Sequence, residues 1–180
     1  MTDLVVTIGG PPGSGKSTAG RRVAAERHLE YLSAGELFRA EARRRGLSLG
    51  ELGALAERDP SIDRALDDEM VRRAAPTRLL DGRVSGPILR RRGIPTCYVV
   101  VTASPEVRWR RLVGRDGGSL ETVAAATRAR EESERRRYTA YYDIELENVP
   151  ADLLVDSSTA GPDEVVRTIL DFLDSPGVAG

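Results

Sequence analysis

Residues 7–18 read Thr-Ile-Gly-Gly-Pro-Pro-Gly-Ser-Gly-Lys-Ser-Thr and follow directly on the apolar run Leu4-Val5-Val6. A stretch so rich in glycine and proline has few side chains to bury and fewer N–H groups to give a sheet, so it is not ordinary core. Positions 10–17, Gly-Pro-Pro-Gly-Ser-Gly-Lys-Ser, fill G-x-x-x-x-G-K-[ST] at every fixed position. The context is also right: a buried strand is expected over Leu4–Ile8, and a helix from Lys16 to His28. Glycines let backbone N–H groups converge on an anion, and the helix start adds its dipole. Gly10, Pro11, Pro12, Gly13, Ser14, Gly15, Lys16, Ser17 and Thr18 are therefore read as a phosphate-binding loop. Lys16 is placed to reach the β and γ phosphates, and the Ser17 hydroxyl to ligate Mg²⁺.

Of the 27 basic residues, Lys16 is the sole lysine, and it stands inside this loop. A compositional preference for arginine accounts for the other basic positions but not for this one. A slim ammonium on a flexible stem can follow a phosphate through a narrow loop, whereas a planar guanidinium is bulkier.

The bulk numbers narrow the classes. A chain of 180 residues has the length of one domain with a packed core, and 40% hydrophobic with 31% charged residues is ordinary for a globular protein. The formal net charge of −1 gives no reason to expect a nucleic-acid partner, and aromatics at 4% leave no stacking platform. No apolar run approaches a membrane span. Cys97 is the single cysteine and His28 the single histidine, which excludes an intrachain disulfide, a cysteine-rich zinc site and a Ser-His triad. A monomer in a reduced, cytoplasmic compartment is expected, with no membrane partner.

Along the chain, strands alternate with helices. Strands are expected at Leu29–Ser33, Arg78–Asp81, Thr96–Ala103 and Asp152–Ser158. Helices are expected at Ala34–Arg45, Leu49–Arg58, Pro60 to about Ala75, Pro105 onward with Ser104 as cap, Thr122–Tyr142 and Asp163–Leu173. Gly117-Gly118 ends the helix from Pro105. The pattern predicts an α/β chain, a parallel sheet covered by helices on both faces. Residues 1–33, 76–107 and 150–180 would form its core, 34–75 a helical substrate-facing flap, and 108–142 a second excursion.

Three groups besides the loop carry chemistry. Arg39, in Ser33-Ala-Gly-Glu-Leu-Phe-Arg39, would ride the first turns of a helix and either grip a second phosphate bidentately or stand in solvent. Asp81, in Leu79-Leu-Asp-Gly-Arg83, ends an apolar strand beside the loop and suits the outer shell of Mg²⁺, with Arg83 at the mouth of the cleft. A tight turn explains the same residues. Arg108, Arg111 and Arg115 share one helical face, and Arg130 and Arg137 another. Phosphoryl transfer needs such cations around the migrating group. Glu131–Arg135 and Glu132–Arg136 read as ordinary solvated i, i+4 pairs. The basic stretch Gly86–Thr96 carries Arg90, Arg91 and Arg92 without an evident role.

Together GPPGSGKST, SAGELFR, DPSIDRALD, LLDGRVSG, SPEVRWRRLVGRDG and REESERRRYTAYYDIE resemble the archaeal-type cytidylate kinases, from Val5 to about Leu173. The loop is generic; the order and spacing of the other segments are more specific. The resemblance implies the nucleoside monophosphate kinase fold: a five-stranded parallel P-loop core, a helical monophosphate-binding flap and a short lid. It implies MgATP as donor and CMP or dCMP as acceptor. It implies Ser33, Gly35, Arg39 and Arg83 on the acceptor side, Asp63 beside the base, and Arg111, Arg115, Arg130 and Arg137 in lid and transfer. The residues alone also admit a kinase for another small acceptor, such as AMP, UMP or a metabolite alcohol, or a non-catalytic nucleotide switch. A switch has no need of a second phosphate clamp.

Overall fold

The computed structural model describes residues 4–178. Five strands form one parallel sheet: β1 (Val5–Gly9), β2 (Glu30–Ser33), β3 (Arg78–Asp81), β4 (Thr96–Thr102) and β5 (Leu153–Asp156), in the order β2-β3-β1-β4-β5. β1 is central, with Ile8 level with Asp81 on one side and Val99 on the other. That register brings the loop after β1 and the carboxylate ending β3 to the same edge of the sheet. The continuous apolar character of the central strands follows from burial on both faces. On one face α1 (Lys16–Glu26) and α8 (Pro162–Leu173) close over Ile8, Val23, Leu79, Val99 and Ile169. On the other, α5 (Ser85–Arg91) and α4 (Ser61–Arg72) close over Val5, Leu32, Leu80, Leu89 and Met70. Ile8, Leu79, Leu80 and Val99 are fully buried, and trimming any of the leucines to alanine costs about 2–5 kcal/mol.

Between β2 and β3 run α2 (Ala34–Arg45), α3 (Leu49–Ala56) and α4. Their ends are set locally. Ser33 accepts from Glu36 N at the start of α2, Gly46 ends it in the left-handed region, and Ser48 with Glu51 forms a capping box on α3. A small cluster of Ala42, Leu52, Ala56 and Ile62 holds the three helices together. The second excursion is α6 (Pro105–Asp116) and the long α7 (Leu120–Tyr142), joined through Gly117 and Gly118 at positive φ. Residues 1–3 and 179–180, included in the expected core, lie outside the described residues.

Some expected details are corrected. Ser104 occupies the N-cap of α6, but its side chain caps nothing; its backbone N–H donates to Ser158 Oγ at 2.8 Å. Pro60 is the N-cap of α4, with Asp59 before it accepting from Ser61 N at 3.0 Å, and the helix ends at Arg72, short of Ala75 and Pro76. Helix α5 was not foreseen, because Gly86 and Pro87 sit in its first turn. Its arginines are structural ties. Arg90 donates to Pro150 O and Asp152, Arg91 to Tyr142 O and Asp143 O at the end of α7, and Arg92 pairs with Asp68 on α4. A guanidinium on the last carbonyls of a helix satisfies orphan acceptors and complements the dipole.

Candidate active site

The loop between β1 and α1 has the backbone its sequence requires. Gly10 sits at φ 134, and a Cβ there would lie 2.0 Å from Val101 O. Gly13 sits at φ 80, with a Cβ position 2.6 Å from Arg108 O. Only glycine meets both demands. Gly15 is the left-handed N-cap of α1, so the first amides of the helix open into the loop.

Two arginines of α6 fix the loop from outside. Arg108 is buried; its Nη1 donates to Pro12 O at 3.0 Å and it pairs with Glu131 at 2.5 Å. Arg111 donates to Ser157 Oγ at 2.8 Å and Ser157 O at 2.6 Å, while Ser157 Oγ donates to Ser14 O at 2.8 Å. The shared face of Arg108, Arg111 and Arg115 is therefore split in role. Arg108 is a brace, Arg111 lines the cleft while tied to Ser157, and Arg115 lines it while pairing with its neighbour Asp116 at 2.6 Å.

Ser17 Oγ donates to Asp81 Oδ2 at 2.5 Å, and the Tyr31 hydroxyl donates to the same oxygen at 2.5 Å. Asp81 is 2% exposed. A hydroxyl and a carboxylate at the loop form the hard, oxygen-only donor set that Mg²⁺ takes when it shares its shell with phosphates. Tyr31 was missed as a member of this group; its alternation in β2 is indistinguishable from that of a packing residue.

Lys16 is subject to charges of both signs. Burial pushes its pKa down, Asp81 and Glu134 pull it up, and Arg83 and Arg130 push it further down. Glu134 is the residue the sequence hid. Its side chain is buried, Arg130 Nε donates to it at 2.8 Å, and Arg83 Nε stands 3.1 Å from its other oxygen. Burial opposes its ionisation, but Arg83, Arg130 and Arg137 outweigh burial and hold its pKa below the usual glutamate range. The Arg130–Glu134 spacing looks like any i, i+4 pair on α7. The expected Glu131–Arg135 pair is not what forms: Glu131 takes Arg108, and Glu132 takes both Arg135 and Arg136.

On the flap side, Ser33 is committed to capping α2. Arg39 is exposed on the rim of the cleft, its guanidinium folded over Gly35, with Nη1 3.4 Å from where a Cβ at 35 would sit. Arg137 acts on Glu134 through its charge, but its hydrogen bonds go elsewhere. It is buried, and its Nη1 donates to both oxygens of Asp63 at 2.5 Å. Without a substrate, Asp63 and Arg137 are each other's partner while both line the cleft. Each engages the other and ties α4 to α7. Lys16, Ser17, Arg39, Asp63, Asp81, Arg83, Arg111, Arg115, Arg130, Glu134 and Arg137 line one cleft of about 1080 Å³, with residues of the loop, α3, α4 and α7 in its walls. A drug-sized pocket is typically about 300–1,000 Å³, so this volume suits two nucleotides end to end.

The central β1, the loop after it and the Ser17–Asp81 pair define a P-loop nucleotide-binding fold. Solved structures agree: a shikimate kinase from Bacteroides thetaiotaomicron superposes with a TM-score of 0.59 at 16% identity, covering 96% of this chain and 99% of its own. An uncharacterised Eubacterium ventriosum protein gives 0.69 at 13% identity, covering 96% and 99%. A family model described as an AAA domain matches residues 9–126. Sequence relatives are more specific. A cytidylate kinase of Archaeoglobus fulgidus is 37% identical over 95% of this chain and 95% of its own, and one of Methanoculleus marisnigri is 40% identical over 92% and 91%. A Halobacterium salinarum cytidylate kinase is 37% identical over 96% and 90%. The chain belongs to the cytidylate kinase family.

Proposed function

We propose that this protein transfers the γ-phosphoryl group of ATP to CMP or dCMP, giving ADP and CDP or dCDP, as a monomer in the cytoplasm. Its small-molecule substrates are nucleotides; neither nucleic acid nor a membrane takes part, and no described helix is long and apolar enough to cross a membrane. The observation that carries the reading is a single cleft lined by the loop with Lys16 and also by Arg39, Arg83 and Arg130. A single cleft with two phosphate-binding ends around one lysine fits transfer between two phosphorylated molecules. A nucleotide switch leaves the second end without a use.

The proposed steps need no covalent intermediate. The loop amides from Gly10 to Thr18 hold the donor phosphates, and Lys16 neutralises charge on the β and γ groups. Ser17 and Asp81 would hold Mg²⁺, which would supply positive charge to offset that developing in the transfer. Arg39, beside Gly35 and the capped Ser33, and Arg83 orient the acceptor phosphate. Arg130 and Arg83 face the migrating group, and Glu134 is the counter-ion that keeps both in place while the acceptor is absent. Arg111 and Arg115 close the donor end. Helices α2–α4 act as the monophosphate-binding flap, and α6–α7 as lid and flanking helices. Their closure excludes water, so ATP is passed on rather than hydrolysed. The test is ADP release by the purified protein with ATP, Mg²⁺ and each of CMP, dCMP, UMP, AMP and GMP. The reading expects CMP or dCMP to give the highest kcat/KM; a clear preference for AMP or GMP would replace it.

A further inference from the structure

The buried guanidinium of Arg108, on α6, is shared among three other parts of the fold. Its Nε donates to Ala103 O at 3.2 Å, just past the end of β4. Its Nη1 donates to Pro12 O at 3.0 Å in the phosphate-binding loop, and to Glu131 Oε1 at 2.5 Å on α7. The main chain adds to the hold on the loop, since a Cβ at Gly13 would lie 2.6 Å from Arg108 O. Loop and α6 are thus one packed unit, and Glu131 is where α7 joins it. A second contact links the two helices, the Arg128 guanidinium 4.4 Å from the centre of the Trp109 ring, but among the described residues neither of these donates to the loop.

On α7, Glu131 directly follows Arg130 and stands three residues before Glu134. Arg130 and Arg83 both pair with Glu134, and all three line the cleft. A phosphate arriving at the two arginines competes with that carboxylate, so α7 responds to the acceptor through Arg130. The same helix reaches the donor loop through Glu131 and Arg108. The side chains of this ion pair are 8% and 24% exposed. Apolar packing joins two helices without the desolvation cost of such a pair, so stability alone does not account for it.

We propose that Arg108, held by Glu131, is a positioning residue that couples the two ends of the cleft. The acceptor settles α7 and so sets Pro12 and Gly13 for the donor phosphates; the donor, by fixing the loop, sets α7 for the acceptor. The proposal rests on the reading above, that the acceptor phosphate meets Arg83 and Arg130. Neither Arg108 nor Glu131 lines the cleft, so their effect on the nucleotides passes through the loop and α7. The nucleotide that binds first meets the cost of fixing α7 against the loop, and the second enters a site already set. Such coupling is typically about 5–150-fold in affinity and is equal in both directions. A rival route is direct, the two sets of phosphates acting through space on Lys16, Arg83 and Arg130 with no need of Glu131.

The experiment is calorimetry on the purified protein with Mg²⁺. It measures the Kd of AMP-PNP with and without saturating CMP, and the Kd of CMP with and without saturating AMP-PNP. In the wild type each should tighten the other by the same factor, at least about fivefold. Glu131→Ala leaves Arg108 its bonds to Pro12 and Ala103 and cuts the tie to α7. Its factor should fall to within about twofold of one, while AMP-PNP binding alone stays within about twofold of wild type. Arg128→Ala loosens α6 from α7 away from the loop and should keep the wild-type factor. A lowered melting temperature with full coupling in Glu131→Ala is the mark of a merely structural pair and overturns the proposal, as does an equal loss of coupling in Arg128→Ala. If Glu131→Ala does not fold, Glu131→Gln decides. A neutral acceptor is roughly half as strong, so the factor should drop to about the square root of the wild-type value, and an undiminished factor overturns the proposal. Wild-type protein that binds CMP with no effect on AMP-PNP overturns the proposal alone; wild-type protein that does not bind CMP overturns the underlying reading with it.

Discussion

The Ser17 hydroxyl donates to Asp81 at 2.5 Å, joining the first turn of α1 to the last residue of β3 across 64 positions of sequence. Parallel pairing of β1 with β3 makes that contact, since Ile8 and Asp81 are level in the sheet. The two residues proposed to hold Mg²⁺ are thus preset by the core rather than by a mobile loop. Asp81→Asn keeps the shape and removes the charge. Loss of such a supporting group typically weakens metal binding about 10–100-fold. The Mg²⁺ concentration that half-saturates ADP binding, read by calorimetry, should rise by that factor while metal-free ADP affinity holds. An unchanged Mg²⁺ requirement would take Asp81 out of the metal site.

Lys16→Arg keeps the charge and changes the shape. The loop walls are backbone, with Gly10 and Gly13 packed against Val101 O and Arg108 O, so they have no room to yield to a planar fork. Turnover should fall about a hundredfold or more, the scale seen when one donor to a developing charge is removed. The melting temperature without ligand should change little. Near-normal kcat would show that the ammonium is not the required shape.

Arg39→Ala tests the acceptor clamp. Arg39 stands at the rim, folded over Gly35, and becomes desolvated on the proposed closure. Its loss should cost about 2 kcal/mol or more in kcat/KM for CMP. The affinity for ATP alone should stay within a factor of about two. Equal losses for both nucleotides would place Arg39 elsewhere in the cycle.

The Asp63–Arg137 pair bears on stability as well as on the site. Both side chains are 5% exposed, so removing one partner strands a buried charge. Asp63→Ala should destabilise the fold by about 3–5 kcal/mol, and Asp63→Ala with Arg137→Met by much less. Urea melts of the two variants measure the difference. Equal destabilisation would mean that the buried guanidinium finds another partner.

Much of this site was legible in the sequence, and the boundary is physical. The loop could be read because every fixed position answers a backbone or charge requirement that few other residues meet. Asp81 could be read because an acidic residue at the end of an apolar strand is costly without a task. Glu134 could not be singled out. On α7 it stands among other acids at helical spacing, and only packing separates this buried carboxylate from the solvated Glu132. Asp63 and Arg137 were both picked out, but their contact spans 74 positions, and no local spacing announces it. The arginines of α5 were obscure for a related reason. Their partners, Asp152, the end of α7 and Asp68, belong to three separate elements.

The central claim is transfer from ATP to a cytidine monophosphate rather than hydrolysis or mere binding. It is tested most directly by incubating the purified protein with ATP, Mg²⁺ and CMP, and quantifying CDP and ADP chromatographically. The account predicts one CDP for each ADP, and ADP formation without CMP slower by about a hundredfold or more, because without the acceptor the flap and lid do not close to complete the site. ADP that accumulates without CDP, at a rate indifferent to CMP, would contradict it.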